Sequence, residues 1–327
     1  TAGTALAGSN SWASHSGAGT NNLTTTAGSL SYTGFVGSGL GNGLTFTNSG
    51  DDEHKDFSSA VTSGSVYASC LVTITGAGSS AGDYFVHFGP AAMTTASFNT
   101  KLWAKSDGAG GVKFGISKST STSSSASFTT GSYSLNQTYL VVIKYTFNTG
   151  TSTDDAVSLW VNPVINGSEP TATVADITDA GAADVTSIGG LAVRQGSSTA
   201  APAGRVDGFR VSTTWNGAVS GVWYRSNATG NWGTAATWQS SVDNGSSWAT
   251  ASASPTSGDG PITIQSPNVV TVASPVTVDQ VTVNSGGTLA TSVTLTNSGN
   301  LALNGNFQLE QGGLATGGTF VYGSAGT

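Results

Sequence analysis

The sequence predicts an all-β protein in which a large antiparallel sandwich, or jelly roll, is followed by a β-solenoid. Three observations support this fold class. About ten segments before Trp215 carry the alternating apolar and polar residues that are typical of strands. Short turns rich in Gly, Asn and Asp separate these segments. No window of eleven residues shows a convincing helical period in its apolar residues, so helices are not expected.

Two segments show the strand pattern most clearly. Residues 65–75 place five apolar or small residues on one face: Val66, Ala68, Cys70, Val72 and Ile74. Residues 138–147 do the same: Tyr139, Val141, Ile143, Tyr145 and Phe147. The other face of this second segment includes Leu140 and Val142. Because a strand that is apolar on both faces is usually covered on both sides, we predict that residues 138–147 form a central strand.

The composition changes after Trp215. Residues 217–327 contain one cation, Arg225, and the predicted strands become shorter. A weak repeat with glycines at its corners places Leu289, Leu301 and Leu314 at offsets of 12 and 13 residues. Short strands with an inward leucine and a glycine at each bend are what stacked coils require. We therefore predict a jelly-roll domain at residues 1–216, a Trp-rich linker or cap at 217–250, and a solenoid segment at 251–327 that continues beyond the chain end.

Composition and charge exclude several classes of function. The 327 residues hold 10 Lys+Arg and 17 Asp+Glu, which gives a net charge of −7. Since no basic face can neutralise phosphates, we expect no nucleic-acid partner, and no apolar run is long enough for a membrane span. Cys70 is the only cysteine, so no disulfide forms within the chain. The absence of an initial Met and of a leader predicts an extracellular or cell-surface protein whose signal peptide has been removed.

The densest charge cluster lies at residues 51–56, with the sequence Asp-Asp-Glu-His-Lys-Asp. Carboxylates and an imidazole could serve metal binding or acid–base chemistry. On a strand, however, neighbouring side chains point to opposite faces, and no second cluster completes this one. We therefore interpret residues 51–56 as a solvated hairpin tip between Phe46 and Phe57.

Asp154 and Asp155 are the candidate metal ligands. They follow a loop rich in Thr and Asn, and adjacent carboxylates in such a loop could bind a hard cation such as calcium. A turn closed by its own side-chain hydrogen bonds explains the same residues. Calcium is the one candidate cofactor, and both interpretations stay open.

Residues for catalysis are not evident in the sequence. Alternation places His87 with Asp83 and Phe85, opposite Val86 and Phe88, and we interpret it as a structural histidine. Sandwich-fold glycosidases commonly carry two carboxylates with Glu-x-Asp spacing, and no glutamate here begins that motif. We therefore expect no catalytic residues and predict that the chain is not an enzyme. Sugar rings could instead stack on Trp12, Trp103, Trp160, Trp215 or the tryptophans of the linker.

Residues 11–215 resemble the laminin-G/concanavalin-A-like jelly-roll module of long proteins secreted by Bacteroidota. The resemblance rests on strings such as GDYFVHFG at 82–89, YLVVIKY at 139–145 and VDGFRV at 206–211. Residues 223–327 are similar to the segment that often follows, which opens with GNW at 230–232 and leads into a right-handed β-helix. The resemblance implies a concanavalin-A-like β-sandwich, export by the type IX secretion pathway, glycan binding and, in some related modules, calcium at the sandwich rim.

The function that follows is a non-catalytic secreted or cell-surface protein in adhesion or carbohydrate binding, the N-terminal part of a longer type IX secretion substrate. Its expected partners are glycans or other cell-surface polymers, and the secretion machinery during export. Two alternatives are a subunit of an extracellular fibre and an accessory module of a secreted hydrolase. A water-accessible cleft in which Glu53, His54 and His87 contact one another would contradict the prediction of a non-catalytic protein.

Overall fold

The computed structural model of the chain describes residues 2–39, 41–95, 98–119, 123–165, 168–175, 179–196, 199–241, 245, 247–256, 259–278, 281–291, 293, 295–297, 301–303, 306–309, 314–316 and 320–322. The chain divides into two compact units. The first unit comprises Thr1–Val164 and Pro170–Ala218, and the second comprises Ile165–Glu169 and Val219–Thr327. Each is described separately below.

The first unit is built from fourteen strands and ends in a short helix. The strands are β1 (Trp12–Ser16), β2 (Thr24–Thr26), β3 (Gly43–Phe46), β4 (Asp52–Val61), β5 (Ser65–Gly76), β6 (Asp83–Gly89), β7 (Asn99–Ser106), β8 (Gly111–Ser117), β9 (Ser127–Phe128), β10 (Tyr133–Ser134), β11 (Thr138–Thr146), β12 (Ala156–Val161), β13 (Ile188–Val193) and β14 (Ala203–Ser212). The helix is α1 (Trp215–Val219), and a single 3₁₀ turn spans Ser123–Ser125.

These strands form two antiparallel sheets. One has the order β1-β4-β13-β6-β7-β8-β10, with β9 also paired to β8, and the other has the order β12-β11-β5-β14-β3-β2. The main apolar core contains residues from both sheets, such as Phe46 and Val72 from the six-stranded sheet and Phe85 and Phe114 from the eight-stranded sheet. This confirms the predicted all-β sandwich of antiparallel sheets.

The strand patterns read from the sequence place β5 and β11 correctly. The predicted inward faces of both strands lie in the main core. Leu140 and Val142, on the other face of β11, are fully buried, and β11 lies inside its sheet between β5 and β12. The rings of Trp160 and Trp215, whose centroids are 5.1 Å apart, are also buried in this unit. The predicted central strand is therefore confirmed.

The second unit contains the strands from Trp223 onward and one 3₁₀ turn at Ala235–Thr237. The strands are β15 (Trp223–Ser226), β16 (Gly230–Asn231), β17 (Trp238–Ser241), β18 (Ala249–Thr250), β19 (Ile262–Ile264), β20 (Val269–Val272), β21 (Val276–Val278), β22 (Val281–Val283), β23 (Thr288–Thr291), β24 (Leu295–Asn297), β25 (Leu301–Leu303), β26 (Asn306–Leu309), β27 (Leu314–Thr316) and β28 (Phe320–Tyr322). They form three sheets with the orders β18-β17-β15-β19-β22-β25-β28, β16-β20-β23-β26 and β21-β24-β27.

Most neighbouring strands of the second unit run parallel, the exceptions being the pairs β15–β17 and β17–β18. Its core contains Trp232 and Trp238, whose ring centroids are 4.9 Å apart, together with the inward valines and isoleucines of the short strands. The predicted leucine offsets do not describe the pairing, because Leu289, Leu301 and Leu314 lie in three different sheets. The glycines of the second and third repeat copies lie outside the described residues.

In the described part of the chain, no helix has the length and apolar character that crossing a membrane requires.

One close backbone contact in the first unit depends on a glycine. Gly208 has a φ of +61°, and a Cβ atom there would lie 2.4 Å from the carbonyl oxygen of Gly37. The register of β14 against β5 shifts between Asp207 and Arg210, which places Gly208 in a bulge. The Asp207 carboxylate stabilises the bulge by accepting hydrogen bonds from the backbone N–H of Gly208 and of Leu30.

We expect Gly208→Ala to destabilise the first unit by about 2–4 kcal/mol, since the new methyl group adds a backbone clash to the cost of a positive φ. Chemical denaturation followed by tryptophan fluorescence measures this. Gly108→Ala is the matched control, because Gly108 has a φ of +80° but open space around it. Its expected cost is only about 1 kcal/mol. Equal losses in the two variants would contradict the role of the Gly37 contact.

Candidate functional site

The eight-stranded sheet carries a row of mostly polar side chains on one face. Alternate residues of its strands point into the main core. On the other face His54, Ala192, His87 and Lys101 lie side by side across β4, β13, β6 and β7, because Ala192 pairs with both histidines and His87 pairs with Lys101. We call this the outer face of the sheet.

A third histidine from β1 completes a cluster on the outer face. Ala13 pairs with His54, and His15 follows two residues later. The His15 ring centroid lies 5.2 Å from that of His54 and 5.9 Å from that of His87. Phe98 contacts the same group, with its centroid 4.5 Å from His87 and 5.7 Å from His15. We call His15, His54, His87 and Phe98 the histidine cluster.

Several ring nitrogens of this cluster are buried without a hydrogen-bond partner among the described residues. They are Nδ1 and Nε2 of His15, Nδ1 of His54 and Nε2 of His87. On the other side of the His87 ring, Nδ1 lies 3.0 Å from the carbonyl oxygen of Phe88. The cluster therefore holds donors and acceptors that no described residue uses.

Burial keeps two of these imidazoles neutral. It lowers the pKa of His15 to about 4, with a smaller contribution from the neighbouring His54. It also lowers the pKa of His87 to about 3, although the hydrogen bond to Phe88 acts in the opposite direction. A neutral imidazole has one N–H donor and one acceptor nitrogen, so both side chains can exchange hydrogen bonds with a polar ligand at neutral pH.

The structure corrects the interpretation of residues 51–56 as a solvated hairpin tip. Asp52 begins β4, which is paired on both edges, and Asp51, Asp52, Glu53 and His54 are all buried. The interpretation was wrong because it took charge as a sign of exposure. Pairing with strands on both sides determines burial here.

The three acids of this segment have different surroundings. Asp51 accepts a hydrogen bond of 2.5 Å from the Ser14 hydroxyl, and Asp52 accepts one of 2.8 Å from the backbone N–H of Gln195. Neither carboxylate oxygen of Glu53 has a partner in the described part of the structure. Burial raises the pKa of Asp52 to about 6 against the opposing effect of Arg194. Burial, assisted by the charge of Asp51, raises the pKa of Glu53 to about 7.

Of Glu53, His54 and His87, only the two histidines belong to one cluster. His54 and His87 both contact His15. Glu53 pairs with Val193, a residue of the main core, so strand alternation places it on the inner face of the sheet. The outer face therefore carries the histidines without this carboxylate.

The sequence correctly places His87 opposite Val86 and Phe88, both of which lie in the main core. The prediction grouped it with Phe85, but Phe85 lies in the main core. The register of β6 against β7 is irregular between Tyr84 and Val86, and this shift brings Tyr84 to the outer face. The centroid of the Tyr84 ring lies 5.8 Å from that of His87. Strict alternation fails at such an irregularity.

A pocket of about 410 Å³ opens beside the histidine cluster. We call it the Arg194 pocket; its wall includes Asp52, Tyr84, Phe98, Arg194 and Gln195. The Arg194 guanidinium lies 2.9 Å from the Asp83 carboxylate, donates to the Tyr84 carbonyl oxygen at 3.0 Å, and stacks 4.2 Å from the centre of the Tyr84 ring. The pocket thus combines aromatic rings with planar polar groups.

Asp154 and Asp155 meet a third acid, Asp184. In the described part of the chain these are the only three His, Cys, Asp or Glu residues whose ligand atoms all lie within 4.8 Å of one another, so this acidic group could hold a metal ion. Asp184 already accepts hydrogen bonds from the backbone N–H groups of both other aspartates and forms an ion pair with Lys118. Oδ1 of Asp154 is buried and has no hydrogen-bond partner among the described residues.

Burial decides which predicted tryptophans could stack on a sugar. Trp103, Trp160 and Trp215 are buried, and so are Trp232 and Trp238 in the second unit. Three others are half-buried: Trp12, Trp223 and Trp248.

Several residues of the outer face are not indicated by the sequence. His15, Tyr84, Phe98 and Arg194 come from four separate parts of the chain. One indication is present in the sequence, because all three histidines of the protein fall on strands. Residue spacing alone does not show that these strands lie next to one another.

The chain matches no family model, and no curated protein matches it. Solved structures similar to it include the alginate lyase Aly36B, at 16% identity and a TM-score of 0.35, covering 52% of this chain and 79% of that one. The endo-β-1,4-glucuronan lyase from the fungus Trichoderma reesei is similar at 10% identity and a TM-score of 0.37, covering 66% and 99%. The heptameric SAP-like pentraxin from Limulus polyphemus is similar at 11% identity and a TM-score of 0.35, covering 52% and 75%.

The prediction that the chain is not an enzyme is wrong as stated. Polysaccharide lyases stand among the solved structures similar to it, so the missing Glu-x-Asp motif does not exclude enzymatic activity. That motif concerns glycoside hydrolysis by paired carboxylates, which is one chemistry among several. At TM-scores near 0.35 the similarity assigns no activity to this chain.

We expect the histidine cluster to make the first unit less stable in acid. The unfolded chain binds a proton at a histidine near pH 6.5, whereas folded His15 binds one only near pH 4, so stability falls as the pH falls between these values. The slope is at most about 1.4 kcal/mol per pH unit for each histidine. Asp52 and Glu53 act in the opposite sense, since their raised pKa values contribute stability that is lost as the pH rises through about 6 and about 7.

Chemical denaturation of the wild type, His15→Gln and Glu53→Gln between about pH 4 and 7 separates these contributions. The His15→Gln variant should lose less stability than the wild type on acidification. The Glu53→Gln variant should lose less stability than the wild type as the pH rises from about 4.5 to 7. Parallel curves for all three proteins would show that these groups titrate alike in the folded and unfolded chains.

Proposed function

We propose that the first unit binds a carbohydrate chain in the Arg194 pocket. The observation that carries this proposal is the combination of the half-buried Phe98 ring with the charged side chains of Asp52 and Arg194 in one pocket. The apolar face of a sugar ring packs on an aromatic side chain, and its hydroxyl groups exchange hydrogen bonds with carboxylate and guanidinium groups. A pocket that is partly apolar with a few fixed polar groups suits such a ligand.

The polar groups of the pocket are held in place before a ligand arrives. The Gln195 side chain accepts a hydrogen bond of 2.8 Å from the backbone N–H of Thr47 and donates one of 2.6 Å to the carbonyl oxygen of Asn21. The Asp83 carboxylate and the Tyr84 ring hold Arg194. Because these side chains lose little conformational freedom on binding, the entropic cost of binding is reduced.

The pocket also lies beside the histidine cluster, whose ring nitrogens without a partner among the described residues can exchange hydrogen bonds with a ligand. His87 and His15 contact Phe98, which lines the pocket, and both imidazoles are neutral at pH 7. A binding assay should therefore include a test for cleavage of the carbohydrate chain, scored by the appearance of shorter fragments.

The remaining expectations about biology are also proposals. Export to the cell surface is supported by the scarcity of charge and the abundance of Gly, Ser and Thr in the sequence. A solenoid in the second unit is supported by parallel pairing of Ile262 with Val281, Val281 with Leu301 and Leu301 with Phe320. Carbohydrate polymers of a cell surface are the partners that fit the Arg194 pocket. The division at residues 216 and 250 stays a prediction.

We also propose calcium as an ion for the acidic group formed by Asp154, Asp155 and Asp184. Carboxylate oxygens are the ligands that calcium prefers, and the buried Oδ1 of Asp154 supports the proposal. Calcium would have to compete with the Lys118 ammonium for Asp184.

We expect Phe98→Ala to weaken carbohydrate binding about tenfold, because it removes the half-buried ring on which the sugar packs. Affinity electrophoresis in native gels that contain single polysaccharides, neutral and acidic, measures the retardation of the full chain. Phe57→Ala is the matched control, since Phe57 is also half-buried on the eight-stranded sheet but lines a different, apolar groove. If no polysaccharide retards the wild type, or if both variants behave alike, the Arg194 pocket is not a carbohydrate site.

We expect calcium to raise the melting temperature of the wild type by about 2–4 °C, since an ion that binds only the folded chain stabilises it. Asp154→Asn should abolish the rise, whereas Asp107→Asn, a change in an exposed turn elsewhere in the first unit, should preserve it. Thermal unfolding with calcium or magnesium makes the comparison. The same melting temperature with and without calcium would exclude the site.

A further inference from the structure

The second unit presents its only cation on a sheet face that points away from its core. Arg225 pairs with Gln239 on one side and with Thr263 on the other, so these three residues form a row across β17, β15 and β19. The neighbouring residues Tyr224 and Ile262 lie in the core of this unit. Arg225 is the one Lys or Arg between residues 219 and 327.

Two contacts fix the Arg225 guanidinium. Its Nε donates a hydrogen bond of 2.8 Å to Oε1 of Gln239, and its central carbon lies 4.3 Å from the centre of the Trp248 ring. Arg225 forms no salt bridge with any described residue. A guanidinium that is held at Nε and stacked on a ring presents its two terminal NH₂ groups in a fixed fork, the geometry that binds a carboxylate through two hydrogen bonds.

Two cavities of about 220 and 300 Å³ share Arg225 and Gln265 in their walls. We call them together the Arg225 groove. One cavity is lined by the half-buried rings of Trp223 and Trp248. The other is lined by amide side chains, including those of Gln239, Asn227 and Asn268. Among the described residues, no acid lines either cavity.

The amides of the groove are oriented by hydrogen bonds through their nitrogens. Nε2 of Gln265 donates to the carbonyl oxygen of Ser226 at 3.1 Å, and Nδ2 of Asn268 donates to the Ser226 hydroxyl at 2.8 Å. With the NH₂ groups engaged, the amide oxygens are acceptors for the hydroxyl groups of a ligand. The groove therefore offers an apolar wall, one cationic fork and fixed acceptors.

We propose that the Arg225 groove is a second binding site, specific for a uronic acid residue of an acidic polysaccharide. The sugar carboxylate binds the fork of Arg225, the ring packs on the exposed surface of Trp223 or Trp248, and the hydroxyl groups bond to Gln265 and Asn268. One cation without an ion-pair partner among the described residues matches one carboxylate per sugar residue. It does not match a nucleic acid or a polyphosphate, whose binding needs several cations.

The net charge of −7 does not prevent this binding. Interactions between exposed charges are largely screened beyond about 8–10 Å at physiological salt. The charges near the groove therefore determine whether an anionic ligand can bind there. Of the residues that the structure describes, the walls of the groove hold Arg225 and no acid. The site stands independently of the Arg194 pocket, because its residues all belong to the second unit.

Isothermal titration of the full chain with tetragalacturonate tests the proposal, and the fully methyl-esterified tetrasaccharide is the matched ligand without charge. We expect the charged form to bind at least about tenfold more tightly, since hydrogen bonds to a charged group are the stronger kind. Binding of the charged form should weaken as salt is raised.

Variants separate this site from the rest of the molecule. Arg225→Gln should weaken binding of tetragalacturonate about tenfold or more, and Arg225→Lys should restore it only in part because lysine has no fork. Lys113→Gln, which removes a cation of the first unit, should leave the Arg225-dependent binding unchanged. Equal affinity for the charged and esterified ligands, or unchanged binding in Arg225→Gln, overturns the proposal. A similar loss in Lys113→Gln would show a general charge effect and overturns it too.

Discussion

Strand β4 pairs with β1 on one edge and with β13 on the other. This double pairing forces a strongly charged segment into the interior of a sheet, and the neighbouring residues compensate for it. Ser14 and the backbone of Gln195 supply hydrogen bonds to Asp51 and Asp52. The same pairing sets His54 across from Ala192 and His87 beyond it. Because Ala192 carries only a methyl group, His15 has room beside both rings, and the histidine cluster follows from this register.

The sequence predicts those strands whose burial follows from composition. The alternating residues of β5 and the two apolar faces of β11 can be recognised in the sequence. Apolar side chains are buried regardless of which strands they pair with, because burial removes them from water. Charged strands cannot be placed in this way. Whether Asp52 and Glu53 are exposed depends on which strands pair with β4, and those partners begin at Trp12 and at Ile188, far away in the chain. The same limit applied to the candidate site, because Arg194, Phe98 and His15 meet only through sheet pairing.

Local irregularity is the second reason that the sequence falls short. One register shift in β6, between Tyr84 and Val86, is enough to bring Tyr84 onto the face of His87 and to leave Phe85 in the core. The leucine spacing after residue 280 failed for a related reason. The three leucines lie in three different sheets, whereas pairing joins strands that are further apart in the chain, such as those of Val281 and Leu301.

Asp184 joins parts of the first unit that are distant in the sequence. Its carboxylate accepts the backbone N–H groups of Asp154 and Asp155, which precede β12 of the six-stranded sheet, and it pairs with Lys118, which follows β8 of the eight-stranded sheet. Because one carboxylate closes this edge of the sandwich, its contacts break together when the edge opens. Hydrogen exchange at the amides of residues 154 and 155 should consequently occur in a single cooperative event, at a rate that reports the breathing of this edge.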